Sequence, residues 1–156
     1  MKMRFFLFII ILVAIYGNSY SQRVDLQTFR EQMNVISCDT SLSIHFYKYD
    51  FLNEKSLFIG YGDEVKGISS FEFINTLGYK IYVQPLDQIF FDEIPFWMEI
   101  DKYSYEPKKT IIHFHTVGIQ KYRNKKFIEG IIVLEKNSKN QWVKTFDKIS
   151  EFSIKY

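Results

Sequence analysis

The chain has 156 residues, of which 47% are hydrophobic and 19% are aromatic, and it carries 20 Lys and Arg against 18 Asp and Glu. This length suits one domain with a modest core. The near balance of charge argues against a nucleic-acid partner, since a protein that binds nucleic acid is expected to carry a basic domain or stripe.

The N-terminus has the pattern of a secretory signal peptide. A short basic start precedes an apolar run at 5–15, and small side chains at Ser19 and Ser21 suit a signal peptidase. A membrane span needs about 20 apolar residues, so an uncleaved anchor is the less favoured alternative. We therefore expect a signal peptide over residues 1–21 and one exported domain over residues 22–156, periplasmic or secreted, without stable membrane insertion after cleavage.

Charge is distributed unevenly over the exported part. Residues 22–107 carry 7 basic and 14 acidic side chains, whereas residues 108–148 carry 10 basic and 3 acidic ones. Many of the lysines lie in predicted turns, where they usually serve solvation. The asymmetry nevertheless leaves open a charge-driven contact with a protein partner.

Cys38 is the single cysteine of the chain, so packing without disulfides must hold the exported domain together. A free cysteine without a neighbouring base tends to be buried, and we expect Cys38 to be buried or half-buried. The aromatic rings are expected to fill the core, because each ring buries a large area.

A helix is predicted directly after Asp25, whose carboxylate can accept hydrogen bonds from the first turn. Its apolar residues recur at spacings of three and four and share one face: Leu26, Phe29, Met33 and Ile36. Alternation of aromatic residues then predicts a strand over 41–51, in which His45, Tyr47 and Tyr49 share one side.

The middle of the chain is predicted to alternate short elements. A strand at 56–61 leads into a glycine-rich turn at 60–67, which lacks the lysine of a phosphate-binding loop. Ser69 and Glu72 have the spacing of a capping box, which predicts a short helix that ends at Gly78. A strand follows at 79–84, and residues 85–94 are ambiguous between a helical turn and a loop.

Four strand-like segments fill the last part of the chain, joined by short polar connections. They cover residues 96–105, 110–121, 126–136 and 141–146. Short connections imply antiparallel neighbours. Early helices and a late antiparallel meander together predict an α+β fold, with N-terminal helices packed on a curved, mostly antiparallel sheet.

The segment from Phe127 to Phe146, with Gly130 in its first strand and Trp142 in its second, resembles the terminal hairpin of NTF2-like domains, also grouped with cystatin-like rolls. In that family a curved antiparallel sheet wraps around N-terminal helices. The cavity between them binds small molecules or, in enzyme members, performs acid/base chemistry. The resemblance therefore implies a roll with a ligand cavity between helices and sheet.

His113 and His115 are the main chemical lead in the sequence. Strand alternation places both on one face. With a turn at 107–108, we expect Tyr103 to face His113 and Asp101 to face His115. The candidate ligand-binding residues are Trp97, Glu99, Tyr103, His113 and His115, and the candidate acid/base residues are Asp101, Tyr103, His113 and His115.

This cluster has two chemical interpretations and one structural interpretation. A carboxylate beside a histidine and a tyrosine that can donate to an oxyanion would serve acid/base chemistry. Two histidines and a carboxylate also suit zinc or iron, but two histidines spaced by one residue are weak evidence, so we predict no metal and no cofactor. Turns at 124–125 and 138–139 would put Ile132, Leu134 and Val143 on the histidine face, which favours histidines packed in the core.

The sequence thus favours a non-enzymatic exported domain that binds a small molecule or a protein partner through the sheet face or the cavity beside it. One alternative is a small acid/base enzyme of the isomerase or dehydratase type. The other is a protein-interaction domain driven by the charge asymmetry. Serine residues lie outside any nucleophile-elbow pattern, which counts against a hydrolase.

Overall fold

The computed structural model describes residues 23–42, 56–65, 67–89, 96–118 and 126–153. Within these ranges the longest helix is α1 (Leu26–Cys38), and residues 40–42 are helical again. The strands are β1 (Ser56–Tyr61), β2 (Phe71–Ile74), β3 (Lys80–Pro85), β4 (Phe96–Glu106), β5 (Lys109–Gly118), β6 (Lys126–Lys136) and β7 (Trp142–Ser153). Single 3-10 turns lie at Asp63–Val65 and Leu86–Gln88.

The strands form one seven-stranded sheet in the order β2-β3-β1-β4-β5-β6-β7. Strand β1 is parallel to β3 and β4, and the remaining pairs are antiparallel. The mostly antiparallel sheet is therefore confirmed, and its combination with short helices is consistent with the α+β class. None of the helices in the described ranges has the length and apolar character needed to cross a membrane.

Helix α1 begins as the sequence predicted. The Asp25 carboxylate accepts hydrogen bonds from the Thr28 backbone N–H at 2.9 Å and from the Thr28 hydroxyl at 2.7 Å. Phe29, Met33 and Ile36 are buried, whereas Leu26, the first residue of the helix, is 46% exposed. Cys38 is half-buried at the end of the helix.

The space between α1 and the sheet is filled by side chains. Phe29 is fully buried, and its ring meets the rings of Tyr61 and Tyr103 edge to face, with centroids 5.4 Å and 5.3 Å apart. Strands β1, β4, β5 and β6 contribute buried residues to the same core: Ile59, Met98, Ile112, Phe114, Ile132 and Leu134. The described residues therefore form a packed core where the family resemblance implied a ligand cavity.

The predicted helix from Ser69 to Gly78 was wrong, since Phe71–Ile74 form strand β2. Phe71 and Phe73 alternate with exposed residues and pack against the core, and this pairing with β3 outweighs the local capping pattern. The Asn75 side chain accepts hydrogen bonds within the following turn, where Gly78 has a φ of 80°.

The predicted strand at 41–51 is contradicted at its start, because residues 41 and 42 are helical. Its remainder, including His45, Tyr47 and Tyr49, lies outside the described residues. The strands predicted at 56–61 and 126–136 are confirmed with those bounds.

The hairpin that carried the family resemblance has packing reasons for its two marked residues. A Cβ on Gly130 would lie 2.5 Å from the Lys148 carbonyl oxygen and 3.2 Å from the Phe114 ring, so this position has room only for glycine. Trp142 is buried beside the Tyr105 ring, with centroids 6.4 Å apart. The glycine follows from the close approach of β6 to β5 and β7, and the tryptophan from packing between β7 and β4.

Candidate functional site

Strand β5 separates the two faces of the sheet. Its even-numbered residues from Thr110 to Thr116 are buried on the face that α1 covers, whereas His113 and His115 are partly exposed on the other face. We call this second face, from β4 to β7, the open face, because α1 lies on the opposite side of the sheet. Both histidines therefore lie outside the main core.

The prediction that the histidine face is the core side was wrong. His113 pairs with Ile131, so Ile132 and Leu134 point to the covered face and are fully buried there. Val143, which pairs with Glu135, does lie on the open face. The error arose from the register, since His115 pairs with Glu129, whereas a two-residue turn at 124–125 would have paired it with Leu134.

The predicted turn at 107–108 is confirmed, but the expected pairing across it was wrong by one residue. The residues that flank the turn, Glu106 and Lys109, pair with each other, and the same register joins Tyr103 with Ile112. Tyr103 consequently lies on the covered face, 8% exposed. Lys102, and not Tyr103, is the residue that pairs with His113.

Tyr103 belongs to a buried polar network. Its hydroxyl donates to the Gln32 side-chain oxygen, and the Gln32 amide donates to the Thr110 hydroxyl at 2.8 Å. Burial raises the pKa of Tyr103 far above its usual value, so the phenol stays neutral. Tyr103 is therefore a structural residue and takes no part in the open-face cluster.

A bulge in β4 brings two carboxylates to His115. The register shifts between Ile100 and Lys102, leaving Asp101 as the extra residue. Asp101 Oδ1 lies 2.7 Å from His115 Nδ1, and Glu99 Oε2 lies 4.0 Å from His115 Nε2. Side-chain exposures of 33% for His115, 42% for Asp101 and 26% for Glu99 leave the cluster within reach of solvent.

A shallow pocket of about 270 Å³ lies beside this cluster on the open face. Its lining combines acidic, basic, imidazole, hydroxyl and apolar side chains: Asp101, Glu129, Lys148, His113, Ser150 and Ile131. Sequence reasoning missed Glu129 because the register of β5 with β6 was set incorrectly. It missed Lys148 and Ser150 because the predicted last strand ended at residue 146, whereas β7 extends to Ser153. The period-two alternation of β6, read with Ile128, Ile132 and Leu134 as the buried set, was the signal that could have found Glu129.

Trp97 lies on the open-face side of β4 but outside this pocket lining. It pairs with Val117, is 5% exposed, and packs with Ile89 and Phe58 in a second hydrophobic cluster. Trp97 was predicted to bind a ligand, but in the structure its side chain packs in this cluster. The cluster covers the part of the sheet next to Glu99.

The chemistry available at the site is that of an imidazole held between carboxylates, next to an ammonium group and a hydroxyl. Comparison with protein-family models, curated proteins and solved structures found no match for this chain. Function must therefore be argued from the geometry of the site itself.

Proposed function

We propose that residues 22–156 form an exported binding domain that takes a small zwitterionic ligand on the open face of its sheet. The observation that carries this proposal is the pocket of about 270 Å³ with charges of both signs around it. Ligand pockets usually enclose about 300–1,000 Å³, so a ligand of amino-acid size fits better than a larger one. Lys148 suits an anionic group of the ligand, and Asp101 and Glu129 suit a cationic group.

The two alternative functions have less support. The acid/base enzyme loses its oxyanion donor, because the Tyr103 hydroxyl is engaged with Gln32 on the other face. The hypothesis of a charge-driven interaction with a protein partner is weakened, because acidic and basic parts of the chain contact each other. Lys144 Nζ, for example, lies 2.8 Å from Asp39 Oδ1.

A roll of the NTF2-like or cystatin-like kind is the finer fold that we propose. It is supported by the antiparallel succession β4-β5-β6-β7 with α1 on one face. Bulges in β4 and in the β6–β7 pair add local twist, which favours a curved sheet. In this proposal the ligand occupies the open face, since the space beside α1 is filled.

Export is the second part of the proposal, and it is supported by the basic and apolar order of the first residues, which lie outside the described residues. We expect the protein isolated from its native cells to begin at Gln22. N-terminal sequencing of the purified protein measures this directly. A chain that still starts at Met1 would contradict cleavage and favour the retained anchor.

Ligand binding is tested with a panel of amino acids and other small zwitterions in the presence of EDTA. A ligand at about 100 times its Kd should stabilise the fold by about 2.7 kcal/mol, which appears as a rise in melting temperature. Lys148→Ala should abolish this rise, because it removes the positive charge of the pocket lining, and Glu129→Gln should reduce it, because it removes one of the two carboxylates in that lining. Lys139→Ala, at the exposed β6–β7 turn, is the matched control and should keep it. Unchanged ligand shifts in both pocket variants would contradict the proposed site.

A further inference from the structure

We infer that Glu99, Asp101 and His115 together bind a divalent transition-metal ion of the zinc class. The inference rests on the proposed function, because Asp101 also lines the ligand pocket and places the ion at its edge. One potential ligand atom from each residue lies within 4.8 Å of the others. This set differs from the two histidines and one carboxylate that the sequence offered, since Glu99 takes the place of His113.

The donor atoms are those that zinc prefers. An imidazole nitrogen and two carboxylate oxygens give three protein ligands, which leaves a fourth position for water or a bound molecule. Zinc bonds of about 2.0–2.2 Å place neighbouring ligand atoms of a tetrahedral site about 3.3 Å apart. Ligand atoms that now lie up to 4.8 Å apart must therefore approach one another by at most about 1.5 Å. Partly exposed side chains achieve this by small rotations.

The backbone around the cluster favours this convergence. Glu99 lies directly opposite His115 in the β4–β5 pair, and the bulge after Ile100 brings the Asp101 carboxylate to the same imidazole. Three ligands on two paired strands are held by the sheet ladder, which positions them more firmly than a loop does. The two carboxylates bring two negative charges to one imidazole, and a divalent cation offsets them.

Metal binding takes the place of the Asp101–His115 hydrogen bond. The imidazole binds the ion through the lone pair of one ring nitrogen and keeps its N–H on the other nitrogen, so a neutral ring loses no proton on binding. A ligand in the pocket then meets the ion through its carboxylate or amine. This would couple ligand affinity to metal in the same site.

Titration of the full chain, free of any polyhistidine tag, with Zn²⁺ alone tests the inference by calorimetry. We expect one saturable equivalent. His115→Gln, Glu99→Gln and Asp101→Asn should each weaken Zn²⁺ affinity by at least about 10-fold, the low end of the 10- to 100-fold losses seen around metal sites. Glu106→Gln is the matched control, because it removes an exposed carboxylate from the far end of the same strand β4, and it should keep the affinity within about 3-fold.

Two results would overturn the metal site: absence of saturable Zn²⁺ binding in the wild-type chain, or equal affinity in the wild-type and His115→Gln proteins. In either case Asp101 and His115 form only an ion pair. The zwitterion panel in EDTA separates this failure from that of the proposed function. Ligand-induced rises in melting temperature in EDTA, together with no saturable Zn²⁺ binding, keep the pocket and reject the metal. Saturable Zn²⁺ binding without any ligand-induced rise keeps the metal and rejects the pocket.

Discussion

Phe29→Ala is expected to lower the free energy of unfolding by about 3 to 5 kcal/mol, the usual cost of truncating a buried phenylalanine. The Phe29 side chain is fully buried and contacts the rings of Tyr61 and Tyr103 edge to face. Its removal leaves a cavity between α1 and the sheet, and the single cysteine means that no disulfide within the chain limits the loss. Urea denaturation monitored by circular dichroism measures the change.

Leu26→Ala in the same helix is the matched control. Leu26 is 46% exposed, so its truncation should change the free energy of unfolding by no more than about 0.5 kcal/mol. Similar losses for the two variants would mean that α1 does not dock on the sheet through Phe29. Because a domain of this size is stabilised by only about 5 to 15 kcal/mol, the Phe29 variant should also unfold at a clearly lower temperature.

The elements that the sequence predicted well are those set by local periodicity. The Asp25 cap and the buried face of Phe29, Met33 and Ile36 follow from a helical repeat. The bounds of β1 and β6 follow from alternation between polar turns. In these segments local pattern and tertiary packing favour the same structure.

The capping pattern at Ser69 predicted a helix, but the segment that follows is a strand. The spacing of Ser69 and Glu72 fits a helix start, but Phe71 and Phe73 bury their rings only when the segment is extended and paired with β3. Tertiary burial therefore decided the structure of a segment whose local signals conflicted.

Sequence reasoning assembled the site only in part, because a site on a sheet depends on register. A two-residue turn pairs Glu106 with Lys109, and an error of one residue moved Tyr103 to the wrong face. The bulge at Asp101 partly offset this error in register, since it brought Asp101 into the predicted contact with His115. Nothing in the local pattern signals that bulge.

The covered face of β5 was also beyond the reach of pattern reasoning. Both faces of this strand carry apolar residues, such as Ile111 on one and Ile112 on the other, so alternation alone does not tell which face α1 covers. The decisive contact is polar: Gln32 of α1 donates to Thr110 across the interface. Polar pairs of this kind have no periodic signature in a sequence.

Gln32→Leu is expected to lower the free energy of unfolding by about 2 to 4 kcal/mol. The Gln32 side chain is fully buried, and it joins the Tyr103 hydroxyl with the Thr110 hydroxyl. Leucine has a similar volume but takes the Gln32 amide from both hydroxyl groups and leaves them only the Tyr103–Thr110 hydrogen bond, and a buried polar group that loses its partner costs about 1 to 3 kcal/mol. Urea denaturation of the single variants and the double variant measures the loss.

The double variant Gln32→Leu/Tyr103→Phe separates lost hydrogen bonds from lost packing. Removing both partners should recover part of the stability, because the phenol that lost its Gln32 acceptor is absent, and the coupling should be about 0.5 to 3 kcal/mol. Strictly additive losses would mean that the two side chains do not share a hydrogen bond. Tyr103→Phe should also leave Zn²⁺ and ligand binding unchanged, since Tyr103 lies on the covered face. A loss of binding without a loss of stability would instead return Tyr103 to the functional site and favour the acid/base enzyme.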